Sequence, residues 1–182
     1  MLNQRPAAFS SQSSLRGVSG ASTGKLVVVG VGDFKVSNSP DETIVTYALG
    51  SCLGITFFDS ARCVGGLLHI MLPTSKDHHN VENRRAMFLD TGMEEIANHM
   101  AKLGGNISSM ECKVFGGASV TNADGFFSIG RKNVLAMQEL VRANGLRVNV
   151  WEVGGTNNRT IRLNMQTGQV FLKTPSQQEC PK

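Results

Sequence analysis

Residues 43–73, TIVTYALGSCLGITFFDSARCVGGLLHIMLP, constrain the fold more than any other part of the chain. The stretch is rich in β-branched and aromatic residues, broken into short apolar runs by turn residues, and it reads as three consecutive strands: TIVTYAL, LGITFF and CVGGLLHIML, the last closed by Pro73. Only Asp59 to Arg62 separate the second run from the third, so those two must form an antiparallel hairpin. With a symmetric loop, Phe58 faces Cys63 and Cys52 faces His69. Directly opposed residues carry Cβ atoms roughly 4.5–5.5 Å apart on one face of a sheet. A slip of two residues leaves such a pair diagonal, whereas a slip of one sends it to opposite faces.

Before this stretch, LVVVGVGDF from Lys25 reads as a buried strand that the polar KVSNSPDE ends. After the polar loop TSKDHHNVEN the period changes. Leu89, Met93, Ile96, Met100 and Leu103 mark one face of an amphipathic helix stopped at Gly104-Gly105. ECKVFGG is a short strand, and Val134, Met137 and Val141 line a second helix ending at Asn144-Gly145. LRVNVWEV follows as a strand, then RTIRLNM and QVFLK as a hairpin around Thr167-Gly168. The expected class is α+β: a single domain over residues 24–174 with mostly antiparallel β-sheet layers and two amphipathic helices packed against them. Residues 1–23, rich in Ser, Gly and Ala, read as a flexible N-terminal tail, and residues 175–182 as a C-terminal tail.

Composition narrows the class of function. A hydrophobic content of 41% with 18% charged residues excludes a generally disordered chain, and no apolar run approaches the roughly 18 residues of a membrane span. The N-terminus lacks the apolar core of a secretory signal, so the expected location is the cytoplasm. Cys52, Cys63, Cys112 and Cys180 form no CxxC pair, which fits free thiols in a reducing compartment. The net charge of +4 is dispersed, with only the doublets Arg84-Arg85 and Arg131-Lys132, so it favours acidic protein surfaces over nucleic acid.

Cys52 and His69 have two readings. As core residues they are a small hydrophobe and a hydrogen-bonded strand histidine. As a catalytic pair, Cys52 is a nucleophile between Gly50 and Gly54, and His69 is its base and later its acid. Backbone N–H groups of the Gly50-Ser51 turn then serve a developing oxyanion. A third polar group must orient the imidazole. Thr46 qualifies by strand parity, and Asn122 is an alternative from a distant loop. A zinc set of Cys52, Cys63 and His69 lacks metal-ligand spacing, and neither Gly116-Gly117 nor Gly154-Gly155 belongs to a nucleotide motif, so no metal and no cofactor are expected. His78-His79 beside Asp77 reads as solvated loop, Cys63 and Cys112 as core, and Cys180 as tail.

At ALGSCLGITFFD and GGLLHIMLP the chain resembles the CheD family, chemoreceptor glutamine deamidases of bacterial chemotaxis. The resemblance continues through KVFGGASV, SIGRKN and VGGTNNRTIRLNMQTGQV, and covers about Lys25 to Lys173. It implies a cysteine-dependent hydrolase that converts selected glutamines of methyl-accepting chemotaxis receptors to glutamates through a thioester. The family's nucleophile falls on Cys52, its histidine on His69 and its third polar residue on Thr46. Implied partners are the receptors' cytoplasmic helices and, in a rival non-catalytic role, a CheC-type phosphatase. A transamidase or peptidase would share the early chemistry. A redox-sensing thiol without turnover is a third rival, and it would need a resolving cysteine near Cys52, for which Cys63 at the far end of the hairpin is badly placed. Arg131 and Asn158 depart from the family's common pattern, both outside the proposed chemistry.

Overall fold

The computed structural model describes residues 24–119 and 129–182, so the N-terminal tail reading and Asn122 lie outside the described residues. Within the described residues ten strands form two five-stranded sheets. One sheet has the order β1 (Lys25–Val28), β3 (Glu42–Leu49), β8 (Arg159–Asn164), β9 (Val170–Thr174), β10 (Gln177–Pro181). The other has the order β2 (Asp33–Ser37), β5 (Val64–Ile70), β4 (Leu53–Asp59), β6 (Glu111–Gly116), β7 (Val148–Val153). Among the strands of the described residues only β1–β3 and β6–β7 pair in parallel. Helices α1 (Leu89–Lys102) and α2 (Ile129–Asn144) complete the α+β domain, and among the described residues no helix is long and apolar enough to cross a membrane.

Side-chain parity separates two cores. Leu53, Ile55 and Phe57 of β4, with Leu68 and Ile70 of β5 and Val114 of β6, pack against Leu89, Met93, Ile96 and Met100 of α1 and Met137 of α2. The opposite faces of the same strands carry Phe58, Leu67 and Phe115, which meet Ile44, Ile161, Leu163 and Leu172 of the first sheet. The layers are therefore helices, sheet, sheet. The second sheet is covered on both faces, which is why β5 is buried along its whole length and reads as an unbroken apolar run.

Four expectations need correction. The first strand is two: the chain turns at Val31-Gly32, and Lys35–Ser37 continue β2 into the segment read as polar loop. Leu26 and Val28 are exposed, because β1 is an edge strand with one neighbour. Leu103 lies past the end of α1 and is exposed, since the helix is already closed by bonds from Gly104 N to Ala101 O and Gly105 N to Met100 O. Residues Gln177–Pro181 are not a tail but an edge strand antiparallel to β9. Its end is held by Lys182 Nζ on Glu152 at 2.6 Å and Lys113 Nζ on Lys182 O at 2.8 Å. That polar strand carries no apolar alternation, so periodicity could not reveal it.

Candidate active site

His69 shares its parity with Leu67 and so faces the gap between the sheets, where β3 brings Thr46 from the other side by the parity of Ile44. Both side chains are fully buried. Thr46 Oγ1 lies 2.7 Å from Val29 O and 2.7 Å from His69 Nδ1. The hydroxyl has one proton, and a carbonyl can only accept, so that proton goes to Val29 O. Nδ1 must then be the protonated ring nitrogen, donating to Oγ1. The other nitrogen, Nε2, is left with a buried lone pair and takes no hydrogen bond from the described residues. Burial also holds the imidazolium pKa down to about 4, so the ring is neutral at pH 7. A buried, neutral imidazole with one fixed tautomer and an unused lone pair has the chemistry that general-base catalysis requires.

Cys52 sits where the chain crosses between sheets. A bulge after Thr46 interrupts β3, with Ala48 at φ 56°, and Gly50 N closes a tight turn on Ala48 O at 2.8 Å. Three successive carbonyls are then held: Gly50 O by Ala118 N at 2.8 Å, Ser51 O by Asn133 Nδ2 at 2.9 Å and Cys52 O by Gly117 N at 2.8 Å. Gly116 (φ 107°) must lack a side chain here, because a Cβ would collide with Cys52 O. In a trans peptide the N–H points opposite to the preceding carbonyl. The amides of Ser51 and Cys52 therefore point away from these anchors, and neither donates to another described residue.

The β4–β5 register pairs Gly54, not Cys52, with His69. The hairpin is shifted by two residues from the expected pairing because Asp59 pairs with Val64 and Cys63 joins the turn at φ 52°. Asp59 stabilises that turn by accepting from the backbone N–H groups of Ala61 and Arg62. Cys52 is thus a diagonal neighbour of His69, partly exposed at the strand entrance, and no hydrogen bond joins the two side chains. Burial raises the Cys52 thiol pKa, and its own backbone N–H pulls the other way. Burial thus favours a neutral thiol beside a neutral imidazole over an ion pair.

Thr46 meets His69 for a different reason than strand continuity with Cys52, since the two residues belong to segments on different sheets. Cys63 donates its thiol proton to Met165 O at 3.2 Å, at the far end of β5, so the zinc set of Cys52, Cys63 and His69 is not assembled. Cys112 is buried, with its thiol pKa pushed up to about 12, and Cys180 lies in β10. His78 packs against Phe88 with the rings tilted by 42° and their centroids 4.8 Å apart. Asn133 was missed by the sequence reading. Its signal was a polar residue four before Met137, on the buried stripe of α2.

A family model described as CheD chemotactic sensory transduction matches residues 71–174, which begin just after His69. The chain is 41% identical over 149 residues to the "Probable chemoreceptor glutamine deamidase CheD 1" of Syntrophus aciditrophicus, covering 81% of this chain and 93% of the relative. It is 40% identical over 149 residues to the similarly named protein of Clostridium tetani, covering 80% and 89%. With that of Thermococcus kodakarensis the identity is 39% over 154 residues, covering 82% and 93%. On the strength of these matches across most of both chains, the protein belongs to the CheD family.

Proposed function

We propose that this chain is a cytoplasmic hydrolase of glutamine side-chain amides on the helices of methyl-accepting chemotaxis receptors, with Cys52 as nucleophile and His69 as acid and base. The names of its relatives supply the substrate class. The observation that carries the chemistry is the Thr46–His69 hydrogen bond of 2.7 Å, which leaves Nε2 bare beside the segment that bears Cys52.

In this reading a receptor glutamine enters over the Ser51-Cys52 turn. His69 Nε2 takes the thiol proton as Sγ attacks the side-chain carbonyl carbon, and the new oxyanion is met by backbone N–H groups of the turn. The imidazolium returns its proton to the amide nitrogen, the C–N bond breaks and ammonia leaves, with a thioester remaining. His69 then takes a proton from water, whose oxygen attacks the thioester. The C–S bond breaks, and the proton on His69 returns to sulfur to restore the thiol and free the glutamate side chain. Thr46 accepts from Nδ1–H throughout, so that each time Nε2 gives up its proton the ring returns to the required tautomer. The positive net charge of +4 favours approach to acidic helices.

The test is peptide mass spectrometry of a receptor cytoplasmic fragment incubated with the protein or its Cys52→Ser variant. A glutamine-to-glutamate shift only with the wild type is expected. A shift with both would remove Cys52 as nucleophile. No shift on several receptors, with the thiol reduced and the protein folded, would favour the rival role as a non-catalytic partner of a CheC-type phosphatase.

A further inference from the structure

We propose that Asn133 is a positioning residue for catalysis, holding the Ser51–Cys52 peptide so that the Cys52 N–H faces the developing oxyanion; the inference rests on the proposed deamidase reading. Asn133 lies on α2, fully buried, on the same stripe as Met137. Its Nδ2 donates to Ser51 O at 2.9 Å and to Met71 O at 2.9 Å. Two carbonyls can be served only by a group with two hydrogens, so the orientation of the amide follows from its neighbours.

The other end of the same side chain shows that packing is not the reason for an asparagine here. Oδ1 is buried and has no hydrogen-bond partner among the described residues. A leucine of similar shape would fill the space without stranding an acceptor, so the polar side chain is held for its two donors. One donor grips the peptide whose far side is the Cys52 N–H. Because that peptide is planar, fixing Ser51 O fixes the direction of the N–H as well. A hydrogen bond to the carbonyl also polarises the peptide and strengthens its N–H as a donor. The second donor reaches Met71, two residues beyond His69. A single amide thus ties the segment bearing the nucleophile to the segment bearing the base.

The backbone delivers Asn133 to this point through glycine. A Cβ on Gly130 would come within 2.5 Å of Ala118 O and 2.7 Å of Gly117 O, so only glycine lets the first turn of α2 press onto that segment. The same two residues donate their N–H groups to Gly50 O and Cys52 O. Helix start, Gly117-Ala118 and nucleophile turn are therefore one packed unit.

Asn133→Leu and Asn133→Ala, each in the full chain, test the proposal by kinetics on a receptor fragment and by amide NMR of protein labelled with 15N-cysteine. Each of the four cysteines gives one amide signal, and Cys52→Ser identifies that of Cys52. The expected result is kcat lower by about 10-fold or more, as for a misdirected oxyanion donor, with KM within about 3-fold of wild type. The Cys52 signal moves while those of Cys63, Cys112 and Cys180 stay in place. Wild-type kcat in a folded variant would overturn the proposal, as would all four signals shifting together or both variants failing to fold. If the wild type itself deamidates nothing, the functional reading fails, and an unmoved Cys52 signal would separately refute the grip on its peptide.

Discussion

Thr46 and His69 come from different sheets and meet at 2.7 Å, with the threonine hydroxyl relayed onto Val29 O at the same distance. A main-chain carbonyl therefore sets the tautomer of the imidazole through one intervening hydroxyl. This relay uses no carboxylate, which leaves His69 neutral and its basicity governed by burial.

Removing the relay has a defined consequence. Thr46→Val keeps the shape but strands Val29 O and His69 Nδ1, so it should cost about 1–3 kcal/mol in stability. Deamidation should fall by about 10- to 100-fold, part of what positioned acid–base catalysis supplies. Thr46→Ser, which keeps the hydroxyl, should retain most of the rate. Urea denaturation and initial rates for the two variants check this, and a fully active Thr46→Val would move the orienting role elsewhere.

The pH dependence has a definite sign. His69 titrates near 4 when folded and near about 6.5 when unfolded. Between those values the unfolded chain binds a proton that the folded chain does not, so stability rises with pH. The full benefit is present above about 6.5, and about 3 kcal/mol is lost as pH falls toward 4. Urea midpoints across this window should climb more steeply for wild type than for His69→Gln, and equal slopes would show that His69 does not stay neutral. The acid limb of kcat/KM should likewise fall near pH 4 rather than near 6.5.

Gly116→Ala introduces a Cβ against Cys52 O at a φ of 107°. The expected loss is about 1–3 kcal/mol, with a drop in kcat larger than the stability loss alone explains, because the carbonyl displaced belongs to Cys52, the proposed nucleophile. Thermal melts set beside turnover well below the melting temperature separate the two effects.

Thiol reactivity should follow burial. Cys112, buried with its pKa pushed up to about 12, should resist iodoacetamide in the native protein and react after unfolding in urea. The partly exposed Cys52, Cys63 and Cys180 should be modified without unfolding. Peptide mapping reads this directly, and native labelling of Cys112 would show that its pocket opens.

Local chemistry made much of this protein legible. β-branched runs and a short turn announced the β4–β5 hairpin, spacings of three and four announced α1, and the segments around Cys52 and His69 carried the family resemblance. Each signal depends on neighbours in the chain, so the sequence alone determined it. The position of Cys63 inside the turn was not legible, because one bend at positive φ shifts the whole register by two residues. Nor was β10, whose polar residues are held by backbone pairing rather than by burial. Only the tertiary structure brought Thr46 across from the other sheet and Asn133 in from α2. Their partners lie 23 and 82 residues away in sequence, and hydrogen bonds of that separation leave no periodicity because they follow from how layers stack.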